Sequence, residues 1–246
     1  MRAILTFHSI DDSGSVLAYS PRLFTALLEQ LGEQDIPVLD LDTLLSPVTK
    51  RGIAITFDDG MQSVHRHALP VLKEHNAPAH LFVATGAIDT DTQWPQDPCD
   101  GHTFTMLSWH ELEALQAGGV RIESHTHSHP DMRTLPIEKM EAECEQADSL
   151  IEQRLGRRPR YFAYPYGYHD RVVREFAGNR FAATVTTELR PLGANNDMAA
   201  LPRLDSYYLQ TPGMIRNLDT LRVRGYLALR NILRNWRGSQ CRANCD

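Results

Sequence analysis

The sequence predicts an α/β domain of parallel βα units, in which short buried strands alternate with amphipathic helices. Three observations predict it. Six short apolar runs of β-type composition alternate along the chain with stretches of helical periodicity. The chain has 246 residues, 42% hydrophobic and 23% charged, which suffices for one such domain with its own core. Chemically capable polar residues also collect directly after the apolar runs, where the C-terminal ends of parallel strands would present them together. A closed barrel and a doubly wound open sheet both satisfy this alternation.

Residues 3–8 open the chain as a strand at once. The N-terminus shows no apolar signal region and no cleavage site, so the chain is expected in the cytoplasm unless a leader preceded Met1. Residues 21–31 follow with helical periodicity, and 53–57 form a wholly apolar second strand. A helix is expected over 62–75 and a strand over 81–84. Residues 89–105 lack periodicity and read as a long loop, a feature often functional in compact domains. The helix over 108–117 carries its own start signal, because Ser108 and Glu111 form a capping box ahead of Leu112 and Leu115. Strands at 120–123, 161–164 and 181–185 then alternate with helices at 137–155 and 170–176.

Composition removes several function classes. No apolar run reaches the ~18 residues of a membrane span. A net charge of -6 argues against a generic nucleic-acid binder. The four cysteines form no CxxC pair and no zinc-finger spacing, and Cys241 and Cys245 read as inert thiols of a polar tail.

Asp58 and Asp59 follow the apolar strand 53–57, with Gly60 supplying the bend. Alone, Asp-Asp-Gly is a turn. At a barrel mouth, two carboxylates cost desolvation energy unless a cation sits beside them, and a metal ion would supply that charge. His125-Thr126-His127-Ser128-His129 follows another strand. On a helical turn, His125 and His129 share a face and reach one ion, while His127 points elsewhere. Two histidines and one carboxylate leave coordination positions open, which suits catalytic rather than structural metal. His8 ends a buried strand at the same mouth. The remaining histidines His65, His67, His75, His80, His102, His110 and His169 read as surface or helix-end residues.

Together these residues resemble the polysaccharide deacetylase family, the NodB-homology or carbohydrate esterase family 4 domain. Its first motif stands as Thr56-Phe57-Asp58-Asp59-Gly60, its second as His125-Thr126-His127-Ser128-His129, and its third in part as Ala163-Tyr164-Pro165-Tyr166-Gly167. The resemblance covers roughly residues 1 to 210. It implies a single-domain, distorted (β/α)7 barrel holding one divalent metal, zinc first among candidates. Carried over by motif, Asp59, His125 and His129 are the metal ligands, Asp58 is the catalytic base and the Tyr166 backbone N–H serves the oxyanion. The metal would polarise the amide carbonyl and acidify water.

The sequence departs from the common pattern at two points. Ala163 stands where the family's third motif has an arginine that orients the base, and no late Leu-x-His motif follows His169. The branch acting on poly-N-acetylglucosamine is circularly permuted, and Phe162-Ala163-Tyr164-Pro165-Tyr166-Gly167 with His8 resembles it. His8 is then the general acid. Arg203 is the candidate replacement for the missing arginine, and a surface salt bridge to Asp205 is its competing reading.

Residues 1–212 read as the barrel and 213–246 as a basic amphipathic helix and tail, with apolar positions Leu218, Leu221, Tyr226, Leu229, Leu233 and Trp236 near a 3.6-residue period. That stripe either packs on the barrel or rests on an anionic membrane or partner. Seven arginines against Asp219 and Asp246 give 213–246 a net charge of +5, which leaves -11 on the first 212 residues. An acidic barrel favours neutral or partly cationic sugars over anionic polymers. The leading expectation is a metal-dependent hydrolase removing an N-acetyl or small N-acyl group from an amino sugar of a polysaccharide or lipid-linked glycan. A sugar-binding scaffold without activity and a metal-free cyclic amide hydrolase are the alternatives.

Overall fold

The computed structural model describes residues 1–90, 102–211, 214, 217, 218, 220–223 and 225–232. In chain order the strands are β1 (Arg2–Phe7), β2 (Ser9–Ile10), β3 (Ala18–Tyr19), β4 (Gly52–Phe57), β5 (Ala79–Val83), β6 (Val120–Ser124), β7 (Tyr161–Ala163), β8 (Ala183–Val185) and β9 (Leu204–Asp205). Seven of them form one parallel sheet in the order β8-β7-β6-β5-β4-β1-β9, and β2 pairs with β3 separately. The sheet curls towards closure. Leu201 bridges Val185 at one edge, while Leu204 and Asp205 pair with Leu5 and Thr6 of β1. One extended segment therefore spans both edges, and the barrel, not the open sheet, is the architecture.

Both faces of the central strands are buried, as parallel strands covered by crossover helices require. Ala3, Leu5 and Phe7 of β1 and Ile53, Ile55 and Phe57 of β4 face the helices and join Phe24, Leu28, Leu72, Leu112 and Leu115 in the main core. Ile4, Ala54, Phe82, Ala163 and Val185 face inward as a second, smaller core. Register carries this packing to the mouth. Phe7 pairs with Phe57, so His8 and Asp58 leave the sheet at the same height, and the Asp58 N–H donates to the Phe7 carbonyl at 2.9 Å.

The helices are α1 (Pro21–Glu33), α2 (Leu41–Leu45), α3 (Leu69–Glu74), α4 (Trp109–Ala117), α5 (Ile137–Leu155) and α6 (Arg171–Arg180). The helix expected over 62–75 is instead a π-helical turn, Val64–Ala68, running into α3. Pro70 is the reason: it offers no N–H to an α-helical ladder and sits in the first turn of α3, where none is needed. The α2 helix and the three two-residue strands escape a periodicity argument because they are shorter than one period's worth of evidence. Of the expected loop over 89–105, residues 91–101 lie outside the described residues, as do Cys99, Cys241 and Cys245. Cys144 is buried, and burial pushes its thiol up.

His80 corrects the reading of the scattered histidines as surface residues. It is fully buried in β5, where its Nε2 accepts the Leu41 N–H at 3.0 Å. Nδ1 must then carry the proton and donate to Glu123 at 3.1 Å. Glu123 also accepts the N–H groups of Arg160 and Tyr161. This network ties β5, β6, β7 and α2 together inside the barrel.

The C-terminal stripe follows expectation only in part. Leu218, Val223 and Leu227 pack on the main core, while Leu221 and Leu229 are 87% and 57% exposed. Leu218 and Tyr226 of the expected stripe do pack on the main core, joined by Val223 and Leu227, which the period does not select, and the Leu189 N–H donates to Asn231 there. Leu233 and Trp236 lie outside the described residues.

The capping box of α4 forms as expected, with the Glu111 N–H donating to Ser108 and the Ser108 N–H to Glu111. Replacing Ser108 with Ala should lower unfolding free energy by about 1 kcal/mol in urea denaturation. A change below a few tenths would mean that packing alone sets this helix start.

Candidate metal centre and active site

Four elements deliver the site. The β4 strand ends at Phe57, and Asp58 and Asp59 follow it buried. Asp59 is left-handed at φ 70° and Gly60 continues the turn at φ 103°. The β6 strand ends at Ser124, and His125 and His129 follow it, again buried. The β7 strand leads into Pro165–Gly167, where Tyr166 is left-handed at φ 59°. The closing segment brings Arg203.

Asp59 Oδ1 lies 3.3 Å from His125 Nε2 and 3.5 Å from His129 Nε2, and the two Nε2 atoms are 3.2 Å apart. This is the triad of ligand types that the sequence singled out, and all three residues are buried. The geometry fits one tetrahedral ion, because ligand atoms on bonds of about 2.0–2.1 Å stand roughly 3.3–3.4 Å apart. The surroundings fit as well. His125 Nδ1 donates to the Ala163 carbonyl at 2.7 Å, which fixes the ring and turns Nε2 towards the other two ligands.

The backbone route to this triad corrects the expectation of a helical turn. Residues 125–129 form no helix. Thr126 at φ 68° and His129 at φ 56° fold the segment back instead, and Thr126 Oγ1 accepts the His129 N–H at 3.0 Å. A β-branched residue in the left-handed region is a strained choice. His127 points away, as expected, to Thr85 and Gln146.

Arg203 is 1% exposed and grips Asp58 with both ends of its guanidinium, Nη1 to Oδ1 at 2.7 Å and Nη2 to Oδ2 at 2.6 Å. Its Nε donates to the Thr186 carbonyl and Nη1 also to Thr56. The alternative surface pair with Asp205 does not form. Asp205 instead caps the turn Ser206–Leu209 by accepting the Tyr207 N–H. Sequence spacing could not select between the two acids, since Asp58 is 145 residues away and becomes a neighbour only through closure.

Electrostatics follow from this placement. Burial disfavours the Asp58 carboxylate, but the Arg203 charge and hydrogen bonds, with His125 and His8, hold it below the usual carboxylate range. Asp59 is likewise held low against burial by His125, His8 and His129. His125 is raised, because its hydrogen bond to Asp59 and the two aspartate charges outweigh burial. His129 is pushed down to about 4 by burial and by its neighbour His125. His8 is half-buried on the turn after β1 and acts on both carboxylates. Of the seven residues proposed from sequence, the mouth gathers all seven: His8, Asp58, Asp59, His125, His129, Tyr166 and Arg203. The Tyr166 ring packs edge-on against His129 with centroids 4.4 Å apart.

Comparison with known proteins gives the family and the fold. The polysaccharide deacetylase family model matches residues 46–180. YxkH of Bacillus subtilis (strain 168) is 26% identical over 208 residues, covering 82% of this chain and 70% of that protein. A poly-beta-1,6-N-acetyl-D-glucosamine N-deacetylase of Staphylococcus aureus (strain MRSA252) is 28% identical over 130 residues, covering 48% of this chain and 41% of that relative. Among solved structures, IcaB from Ammonifex degensii superposes with a TM-score of 0.74 at 25% identity, over 88% of this chain and 94% of that one.

Folded Asp58 binds its proton less tightly than unfolded Asp58. Its contribution to stability is therefore full above about pH 4 and lost as pH falls through the lowered value. Arg203→Met leaves that carboxylate buried without its cation, and should cost about 3–5 kcal/mol near neutral pH. The deficit relative to wild type should narrow on acidification, because protonating Asp58 relieves it. Equilibrium denaturation of both proteins at several pH values tests this, and a pH-independent deficit would contradict it.

Proposed function

Because the chain belongs to the polysaccharide deacetylase family, a family of amide hydrolases, we propose that it removes the N-acetyl or another small N-acyl group from an amino sugar of a polysaccharide or lipid-linked glycan, with the help of one divalent metal ion. The observation that carries this reading is the buried triangle of Asp59, His125 and His129 directly beside an ionised Asp58. The Staphylococcus aureus relative is named for poly-beta-1,6-N-acetyl-D-glucosamine, which supports N-acetylglucosamine oligomers as the first substrates to test.

The residues divide the work as follows. Asp59, His125 and His129 would hold the ion, with zinc the first candidate. When bound, it supplies Lewis-acid polarisation of the amide carbonyl and water acidified towards a pKa of about 7. Asp58, kept ionised and oriented by Arg203, takes the proton from the attacking water. The Tyr166 backbone N–H, presented by left-handed backbone beside His129, donates to the developing oxyanion. The amine must leave protonated, and His8 gives it the proton. Arg203 stands in for the arginine that Ala163 displaces from the third motif, so it is a positioning residue for Asp58.

Metal analysis with acetate release from N-acetylglucosamine oligomers tests the reading. Wild type should carry one divalent ion and release acetate. Asp58→Asn should keep the ion and lose about 10²-fold or more in kcat. No ion and no release would favour a sugar-binding scaffold, and release without any ion would favour a metal-free hydrolase.

A second observation supports contact with a membrane surface. Leu221, Leu229 and Ile232 are exposed on the C-terminal segment, opposite the buried Leu218, Val223 and Leu227, with Arg222 and Arg230 exposed beside them. No helix among the described residues is long and apolar enough to cross a membrane, so such contact would be peripheral. Wild type should co-sediment with vesicles containing anionic lipid, and the Leu221→Ser, Leu229→Ser, Ile232→Ser triple variant should stay in solution. Equal sedimentation of the two would retire this reading.

A further inference from the structure

The stretch between the two histidine ligand candidates takes no part in the hydrolytic chemistry, yet it is tied down from two sides. One side is the short turn Thr85–Ala87 after β5. The Gly86 N–H donates to the His127 carbonyl at 2.8 Å and the Thr85 N–H to the Thr126 carbonyl at 3.3 Å. A β-carbon at Gly86 would stand 2.8 Å from that His127 oxygen, so glycine is what allows the approach. The other side is α5. Glu143 Oε2 accepts the N–H groups of His127 at 3.1 Å and Ser128 at 2.8 Å, and Oε1 accepts the Ser128 hydroxyl at 2.7 Å. Gln146, on the same helix, donates to His127 Nε2 at 3.1 Å, so Nδ1 carries the proton and donates to Thr85 Oγ1 at 2.9 Å.

These bonds fall between Thr126 and His129, the two left-handed positions that bring the histidines together. Backbone of that kind persists only where its surroundings hold it. Docking of α5 does not require them, because Met140, Cys144, Ala147, Ile151 and Leu155 already bury one face of the helix. A single carboxylate that takes three hydrogen bonds from two successive residues therefore acts on the loop, not on the helix. Its effect reaches the ligands through the backbone they share.

We infer that Glu143 is a positioning residue of the metal centre: by clamping residues 127 and 128 against α5, it sets the turn from which His125 and His129 converge, so that an ion meets ligands already in place. The inference rests on the metal reading above and adds to it a residue outside the ligand set. His127 acquires a role on the same ground, as the side chain that links the clamp on α5 to the turn after β5.

The test is the zinc dissociation constant of the full chain, read by competition with a chromogenic chelator. Glu143→Ala should weaken zinc binding by about 10-fold or more. Glu143→Gln keeps an oxygen for the two N–H groups and an amide N–H for the Ser128 hydroxyl, and should stay within about 3-fold of wild type. Glu141→Ala, which removes a charge from an exposed position of the same helix, should leave the constant unchanged. Wild-type affinity in Glu143→Ala overturns the clamp, as does a Gln variant as weak as Ala or an equal loss in Glu141→Ala. Should Glu143→Ala fail to fold, Ser128→Ala decides, since it removes one of the three bonds at an exposed residue; an unchanged constant there overturns the clamp and a weaker one sustains it. If wild type takes up no zinc, the metal reading fails, and amide exchange decides the clamp. Exchange at His127 and Ser128 about 10-fold or more faster in Glu143→Ala than in wild type sustains it, and equal exchange overturns it.

Discussion

A buried guanidinium governs this molecule. Two adjacent carboxylates stand at the end of a strand with apolar surroundings, and taking such charges out of water is tolerable only against a cation placed with good geometry. Arg203 provides that cation for Asp58 through two short hydrogen bonds and spends its remaining donors on Thr186 and Thr56. It sits in the segment that pairs with β8 at Leu201 and with β1 at Leu204 and Asp205. Closing the barrel and neutralising Asp58 are thus one structural event. A change that loosens the closing segment would be felt first as an unpaired charge at the mouth.

Asp59 is balanced differently. No arginine or lysine reaches it among the described residues, and its low proton affinity rests on histidines. His125 rises and His129 falls, which is how two imidazoles behave when one positive charge is wanted and two would repel. A proton on His125 and a divalent ion held in the triangle would be competing solutions to the same charge deficit, and binding of such an ion would then depend on pH. The backbone pays for this geometry locally. Among the described residues, seven non-glycine positions have positive φ, and four of them, Asp59, Thr126, His129 and Tyr166, belong to the mouth.

Much of this was readable from short stretches of chain. The capping box before α4, the full extent of α5, and the motifs around Asp58 and His125 are local, because the residues that determine them lie within a few positions of one another. The matched family segment, 46–180, covers those motifs but leaves both His8 and Arg203 outside it. Less legible were elements too short to show a period, and side chains whose partner comes from elsewhere. His80 illustrates the second case. In sequence it is one more scattered histidine, and only the pairing of β5 with β6 sets it against Glu123.

The sequence by itself determined the ligand types, the alternation of strands and helices, and the end of the strands at which chemistry gathers. These follow from residue identity and from spacing over a few residues. Tertiary structure decided which acid Arg203 serves, how His125 and His129 meet without a helix, which face of the C-terminal segment is buried, and that the sheet closes. Each of those depends on a contact between distant parts of the chain. The energy that selects it, a desolvated charge or a buried apolar face finding its partner, exists only once the barrel has brought the two together.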